Sequence, residues 1–434
     1  MDKMADVLGR AGAWCGQNKY LSAIKNAFQN FMPLTIAGAI GVLWCNVLVN
    51  DQTGLGLFFK PIMALDFLNP AFQAVNFCTI SCITVGITLG IAQEIGVWNM
   101  GAERAGYIPG LVGLAAWLSV TNTSHMVDGA KEAFTGIAGN ELGATGLFTG
   151  MIIGVLSVEL FCFFEKQDAL KIKMPEQVPP GVARAFEVLV PATITLIITA
   201  CIGSACYNLT GLYLNDVIKN GIQGPLGAVG ATIPGVMIIY LVIMLFWLVG
   251  IHGNNMLSAV KEALFTPLAL ENVEAFNKGE TPKNIINMYF LQMCGEFGGS
   301  GVTIGLVIAI IIFGKREDNK AIATLSLVPG LFNINETVTF GIPMVLNPIL
   351  GIPFVVAPLI TIIIGYVLTV IGFCPVACLT VPWTCPPIVF GFLACGANVM
   401  GAVTQAILIV VSTVIYVPFL ISYEKYQNKQ AAEA

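Results

Sequence analysis

Long apolar runs separated by short polar connections organise most of this 434-residue chain. Runs near 31–49, 73–93, 105–121, 144–164, 187–209 and 227–251 are long enough, or nearly so, to cross about 30 Å of hydrocarbon. The pattern then loosens. Residues 252–299 are mixed, 300–314 is a short apolar run, and 321–348 is interrupted by prolines and glycines. Runs near 349–373 and 399–422 close the chain, separated by a Cys- and Pro-rich segment over 374–398. Residues 20–30, leading into Phe31 and Met32, read as an interfacial amphipathic helix that feeds the first span. The pattern predicts an all-α polytopic membrane protein.

Composition agrees. Hydrophobic residues make up 56% and charged residues 10%, with mean hydropathy +0.82, whereas soluble domains carry about 25% charged residues. The formal net charge of −5 says little about partners, because its distribution over the loops matters more than its sum. If the N-terminus is inside, segments 1–30, 94–104, 165–186 and 423–434 hold eleven Lys and Arg, including Lys3. The outer segments 50–72, 122–143 and 210–226 then hold three: Lys60, Lys131 and Lys219. Cytoplasmic loops are the basic ones, so both termini are expected inside. That requires an even number of crossings; eight are clear, and ten accommodates the ambiguous material between 252 and 348. The first 30 residues lack the uninterrupted apolar core of a cleavable signal. The twelve cysteines are scattered through apolar runs, and no histidine near Cys374, Cys378, Cys385 and Cys395 completes a zinc pattern. They read as packing residues, and neither a metal nor a cofactor is expected.

One stretch concentrates the candidate chemistry: Pro329-Gly-Leu-Phe-Asn-Ile-Asn-Glu336, continuing through Pro343 and Asn347 to Pro348. Glu336 lies among amides with apolar sequence on both sides. A carboxylate at membrane depth costs on the order of several kcal/mol and persists where it faces a cavity or a partner. The competing reading is a helix-end carboxylate reaching the interface. Broken backbone is tolerated in membranes only when buried in protein or lining a wet cavity, which favours one wall of a solute site.

Three further segments qualify. His252, in Gly250-Ile-His-Gly-Asn254-Asn255, can donate and accept hydrogen bonds to a hydroxylated ligand; a histidine at the membrane surface is the alternative. His125 has no such setting and reads as surface. Cys294-Gly-Glu296-Phe-Gly-Gly-Ser-Gly301 has the glycines of a broken element but no P-loop lysine in register, and small-residue helix packing competes with a ligand role. Trp383, between Pro382 and Pro386, offers an indole face and a directional N–H, or else belongs to an interfacial aromatic belt. Finally, Lys166, Lys171, Lys173 and Arg184 give one inner loop four cations, either to dock an anionic or phosphorylated protein or simply as a topology signal.

Val178-Pro-Pro-Gly-Val-Ala-Arg184, Gly250-Ile-His252-Gly, Gly298-Gly-Ser-Gly301, Phe332-Asn-Ile-Asn-Glu336, Phe340-Gly-Ile-Pro-Met-Val-Leu-Asn347-Pro348 and Val381-Pro-Trp383-Thr together resemble one family. It is the membrane-spanning enzyme IIC component, of the lactose/cellobiose/diacetylchitobiose type, of bacterial phosphoenolpyruvate-dependent phosphotransferase systems. The likeness covers essentially the whole chain. Thr337 departs from a usual proline, and Gly181 and Glu187 from commoner small residues; the choice of sugar stays open. The resemblance implies a homodimer in the bacterial cell membrane, with about ten spans, two re-entrant hairpins and an elevator-like movement of the substrate domain.

It also implies a disaccharide substrate held by Glu336 and His252, with Trp383 mapped from the family's tryptophan motif; the residues themselves add Asn254, Asn335 and Glu296 as candidate contacts, Glu296 as either a ligand contact or a structural anchor. Glu336 would orient the hydroxyl that receives the phosphoryl group. The donor would be a phosphorylated IIB protein on another chain, and the partners would include lipid but no nucleic acid. The expected division is a scaffold and dimerisation domain over 1–210 and a transport domain over 211–434. An ion-coupled secondary transporter of a small polar solute is the alternative; in it, Glu336 and His252 would bind protons or cations.

Overall fold

A computed structural model describes residues 10, 13–14, 17–51, 55–125, 134–175, 177–342 and 344–433. Lys3, Lys131 and Pro343 lie outside them. The described chain is almost entirely helical. Five helices are long and apolar enough to cross a membrane, or up to seven if each of two bent pairs is one span, and two shorter apolar helices accompany them. Among the described residues the strands are confined to a two-residue hairpin, in which Ser124 and His125 pair with Thr135 and Phe134. His125 is half-buried there rather than on the surface, with its ring 5.6 Å from that of Phe134.

The chain forms two compact units, one from residues 17–38 and 74–228, the other from 39–73 and 229–434 with the described part of the N-terminus. The principal helices of the first are α1 (Lys19–Leu43, which continues into the other unit), α2 (Ile83–Met100), α3 (Ile108–Val120), α4 (Ala144–Glu165) and α5 (Pro180–Thr210). Here the sequence-based boundaries shift for one reason: polar residues expected to end a span find partners within the unit. Residues 20–30 are not a separate interfacial helix but part of α1. Asn26 donates to Glu94 Oε2 at 2.9 Å, and Lys19 pairs with Glu159 at 2.6 Å. Gln93 and Glu94 thus sit inside α2, which runs on to Met100.

These helices approach closely through small residues. A Cβ at Gly113 would strike that of Ala92, and one at Gly150 would strike Thr88. Several hydroxyls bond within their own helices: Ser157, Thr195 and Thr199 each donate to the carbonyl four residues back, at 2.6, 2.8 and 3.0 Å. At one end, Arg104, Glu165, Arg184 and Glu187 form a charge cluster. Buried Glu165 accepts from Arg104 Nε and from Arg184 Nη1, both at 2.9 Å, and Glu187 accepts from Arg184 Nη1 at 2.8 Å.

The second unit contains α6 (Ile233–Leu248), α7 (Ser258–Asn277), α8 (Met288–Gly295), α9 (Ile304–Phe313), α10 (Glu317–Leu331), α11 (Glu336–Gly341), α12 (Gly351–Val370), α13 (Val389–Ala394) and α14 (Val399–Glu433). Its core is one continuous apolar cluster that includes Tyr240, Trp247, Phe290, Phe297, Phe354 and Tyr416. Several elements are short or broken. α8 and α9 are joined through a 59° bend across residues 296–303, and the 371–388 connection is irregular. Cys374, Cys378 and Cys395 are buried, with the Sγ atoms of Cys374 and Cys395 3.9 Å apart.

Candidate functional site

The bend between α8 and α9 is made by glycine backbone. Gly298, Gly299 and Gly301 take φ of 70°, 87° and 79°, a region that side chains strongly disfavour. At Gly301 there is also no room, because a Cβ would strike the Phe354 ring. The freed backbone groups are not left to lipid, where each would cost several kcal/mol. Tyr416 Oη donates to Gly301 O at 2.8 Å, and Thr303 Oγ1 to Gly298 O at 2.6 Å.

Two asparagines of the 329–336 stretch complete the account. Asn335 Nδ2 donates to Ser300 O at 2.7 Å. Asn333, itself at φ 62°, accepts from Gly298 N at 2.6 Å and donates to Trp383 O at 2.5 Å and Cys385 O at 3.1 Å. One side chain thereby ties together the glycine break, the Asn-Ile-Asn-Glu segment and the Trp383 loop, three stretches distant in sequence. Asn335, expected among the ligand contacts, is buried with its amide committed to this backbone.

Glu336 begins α11 directly after these staples and faces His252. Its Oε1 is 3.8 Å from Nε2, and the two side chains are 46% and 36% exposed, so the pair is open rather than sealed in the core. His252 caps the turn that follows α6: its Nδ1 accepts from Asn255 N at 3.2 Å. An acceptor at Nδ1 puts the neutral ring's proton on Nε2, the nitrogen turned toward Glu336. Trp247 lies 4.4 Å from the imidazole, centroid to centroid, and limits its rotation.

Glu296, within the glycine break, pairs with Lys261 of α7 and accepts from Tyr240 Oη at 2.8 Å. The Lys261 and Glu296 side chains are only 8% and 16% exposed. Asn254 carries a buried Oδ1 without a hydrogen-bond partner, as does Gln292 at Oε1. His252 faces Glu336, and Lys261, on the helix that follows the His252 turn, holds Glu296. Trp383 is 42% exposed and held through its carbonyl by Asn333. The arrangement offers carboxylate and amide acceptors, an imidazole N–H and an exposed indole, a set suited to hydroxyl groups and an apolar ring face.

Sequence reasoning missed Lys261 and Tyr240 as members of this cluster and the stapling role of Asn333. A lysine followed by Glu262 inside Ser258–Asn277 was a signal for the first, whereas nothing local announces the partners of Asn333. Of the basic loop residues, Lys166 and Lys173 are exposed. Lys171 pairs with Asp168 at 3.1 Å and holds that carboxyl below its usual range, while Arg184 is engaged in the charge cluster.

A helical membrane protein with an open cluster of polar groups framed by broken helices is, by class, a membrane solute carrier. The comparisons with known proteins make the class specific. The model of the family described as "Phosphotransferase system, EIIC" matches residues 25–358. The oligo-beta-mannoside-specific EIIC component of Bacillus subtilis (strain 168) is 32% identical over 98% of this chain and 94% of its own length. The cellobiose-specific EIIC component of Lactococcus lactis subsp. lactis (strain IL1403) is 30% identical over 98% of both chains. The crystal structure of the transporter ChbC, the IIC component from the N,N'-diacetylchitobiose-specific phosphotransferase system, superposes with a TM-score of 0.88 at 29% identity, covering 97% of each chain. This chain belongs to the phosphotransferase system EIIC family, the sugar permease components of those systems.

Proposed function

We propose that this chain binds a disaccharide of the β-glucoside, β-galactoside, β-mannoside or diacetylchitobiose type at the cluster of His252, Asn254, Glu296, Glu336 and Trp383. It then presents the sugar at the cytoplasmic face for phosphorylation by a IIB protein. The observation that carries the reading is the Glu336–His252 pair, open and 3.8 Å apart on backbone held by Asn333 and Asn335. In this reading Glu336 orients the hydroxyl that attacks the phosphoryl group, accepting its hydrogen bond and drawing off its proton as the oxygen–phosphorus bond forms and the bond from phosphorus to the IIB protein breaks, releasing dephosphorylated IIB. Positioning supplies much of the catalysis in such transfers.

Residues 211–434 act as the transport domain and 1–210 as the scaffold and dimerisation domain of a homodimer, with both termini cytoplasmic. The exposed Lys166 and Lys173 engage the phosphorylated partner. The lactose-specific EIICB component of Streptococcus mutans, 31% identical over 96% of this chain, is a longer protein of which this chain covers 71%; its name joins a IIC and a IIB component, which supports a IIB protein as the partner.

The test is uptake of labelled cellobiose, lactose, β-1,4-mannobiose and N,N'-diacetylchitobiose into membrane vesicles, with and without phosphorylated IIB protein. One of the four should accumulate as its phosphate only when the phosphoprotein is present. Accumulation of unmodified sugar driven by an ion gradient would instead establish the ion-coupled transporter.

A further inference from the structure

We propose that Lys261 is a positioning residue for the sugar: its ammonium fixes Glu296 so that one carboxylate oxygen is committed to protein and the other is presented to a sugar hydroxyl. The inference rests on the reading above that Glu296 belongs to the sugar site. Two donors, Lys261 Nζ from α7 and Tyr240 Oη from α6, converge on Oε1 of Glu296. Among the described residues Oε2 takes no hydrogen bond, and it is not among the buried atoms left without a partner. Such an asymmetric arrangement leaves the lone pairs of one carboxylate oxygen uncommitted to protein.

Charge bookkeeping gives Lys261 its importance. Glu262 adjoins Lys261 in the chain, and Glu336 is the other carboxylate of the proposed sugar site. Glu262 is occupied with Thr266, whose Oγ1 donates to it at 2.5 Å, and Glu336 faces His252. Glu296 is therefore the carboxylate that Lys261 serves directly. Tyr240 is buried in the core cluster, so the α6 side of the arrangement is fixed by packing. On the α7 side Lys261 is buried as well, with a side chain that has little freedom to leave. Without the ammonium, an isolated carboxylate in this position either rotates toward water or loses its charge, and in both cases the acceptor is lost.

The experiment measures equilibrium binding to the full chain in membrane vesicles, using whichever of labelled cellobiose, lactose, β-1,4-mannobiose and N,N'-diacetylchitobiose the wild type binds. Lys261→Met should weaken binding by about tenfold or more, because it removes one partner of a buried pair. Lys261→Arg, which keeps the cation, should stay within about threefold. Glu296→Gln should weaken binding by about as much as Lys261→Met, and the double variant should be no weaker than Glu296→Gln alone, because residues acting through one contact are non-additive. The double variant removes both ions of the pair rather than one and so keeps a folded comparison available if Lys261→Met is unstable. Wild-type affinity in Lys261→Met, failure of arginine to rescue, or single losses that multiply in the double variant would each overturn the positioning role. Absence of binding by the wild type to all four sugars would overturn the functional reading itself, and the inference with it.

Discussion

In the unit built on residues 17–38 and 74–228, the buried carboxylate of Glu165 meets two guanidinium groups, and the neighbouring Glu187 shares the Arg184 guanidinium. In the unit containing 229–434, Glu424 is likewise held on both oxygens, but two carboxylates of the candidate site are left partly unanswered. Glu296 has a lysine and a phenol on one oxygen only, and Glu336 faces an imidazole at 3.8 Å with nearly half its side chain exposed. The backbone differs in the same sense. Helices of the first unit pack through glycines seated on Thr88 and Ala92; back-bonded hydroxyls occur in both units, as at Thr195 and Thr369. The glycines of the second unit break the helix and leave carbonyls to be held by Asn335, Thr303 and Tyr416. A carboxylate paired with two guanidinium groups holds helices in place; one with an oxygen left over, on backbone kept from collapsing by staples around it, is where a ligand can complete the bonding. The same residue types thus tie helices together in one unit and surround the candidate site in the other.

Breaking the frame should give the largest effect. Glu165→Ala leaves Arg104 and Arg184 facing a buried void, at a cost of about 2–3 kcal/mol once the half-exposed Arg104 is discounted. Thermal unfolding in detergent should show the loss, while the fraction that stays folded binds sugar normally. Weakened affinity in that folded fraction would erase the distinction between the units. The converse change is Glu336→Gln. It should leave the unfolding temperature near that of the wild type, because the side chain is open, yet reduce sugar affinity by about 2 kcal/mol, roughly thirtyfold, as for a hydrogen bond that loses its charge. Wild-type uptake by this variant would remove Glu336 from the site.

His252→Ala is the finer probe. It removes a donor whose tautomer is set by the Asn255 amide, and about 1 kcal/mol of sugar affinity, roughly fivefold, should go with it. The turn also loses a cap, so unfolding and binding must be measured on the same preparation. A lowered melting temperature with unchanged affinity would place His252 in the frame rather than in the site.

The elements of the fold were largely legible because a lipid environment demands long apolar runs, and α4 and α12 lie close to where those runs predicted. Boundaries were lost where polar side chains found distant partners, as with Glu94 and Asn26 in the frame. The breaks at 296–303 and 329–336 were visible from glycine and proline, and Glu336 and His252 stood out as polar groups in apolar surroundings. What holds them was not visible. Asn333 binds residues 35 and about 50 positions away, and no period or spacing encodes such a contact. Asn335 shows the consequence: an amide beside a candidate ligand residue looks like a second ligand residue until its partner, Ser300 O, is known.

The smallest expected effect lies on the exposed loop after α4, where the comparison concerns solvated rather than buried charge. Its four cations divide by structure. Arg184 belongs to the frame, Lys171 is held against Asp168, and Lys166 and Lys173 project outward. Ionic attraction between exposed groups is screened over roughly 10 Å at 0.1 M salt and 3 Å at 1 M. Replacing Lys166 and Lys173 with glutamine should therefore weaken association with phosphorylated IIB protein severalfold at low salt, with the deficit shrinking as salt rises. Sugar binding to the isolated membrane protein should be unchanged. A cysteine at position 173, in a background controlled for the native cysteines, should react with a membrane-impermeant thiol reagent from the cytoplasmic face only. Labelling from outside intact cells would overturn the orientation and with it the docking face. Normal association of the double variant at low salt would keep the orientation and return both lysines to their role as a topology signal.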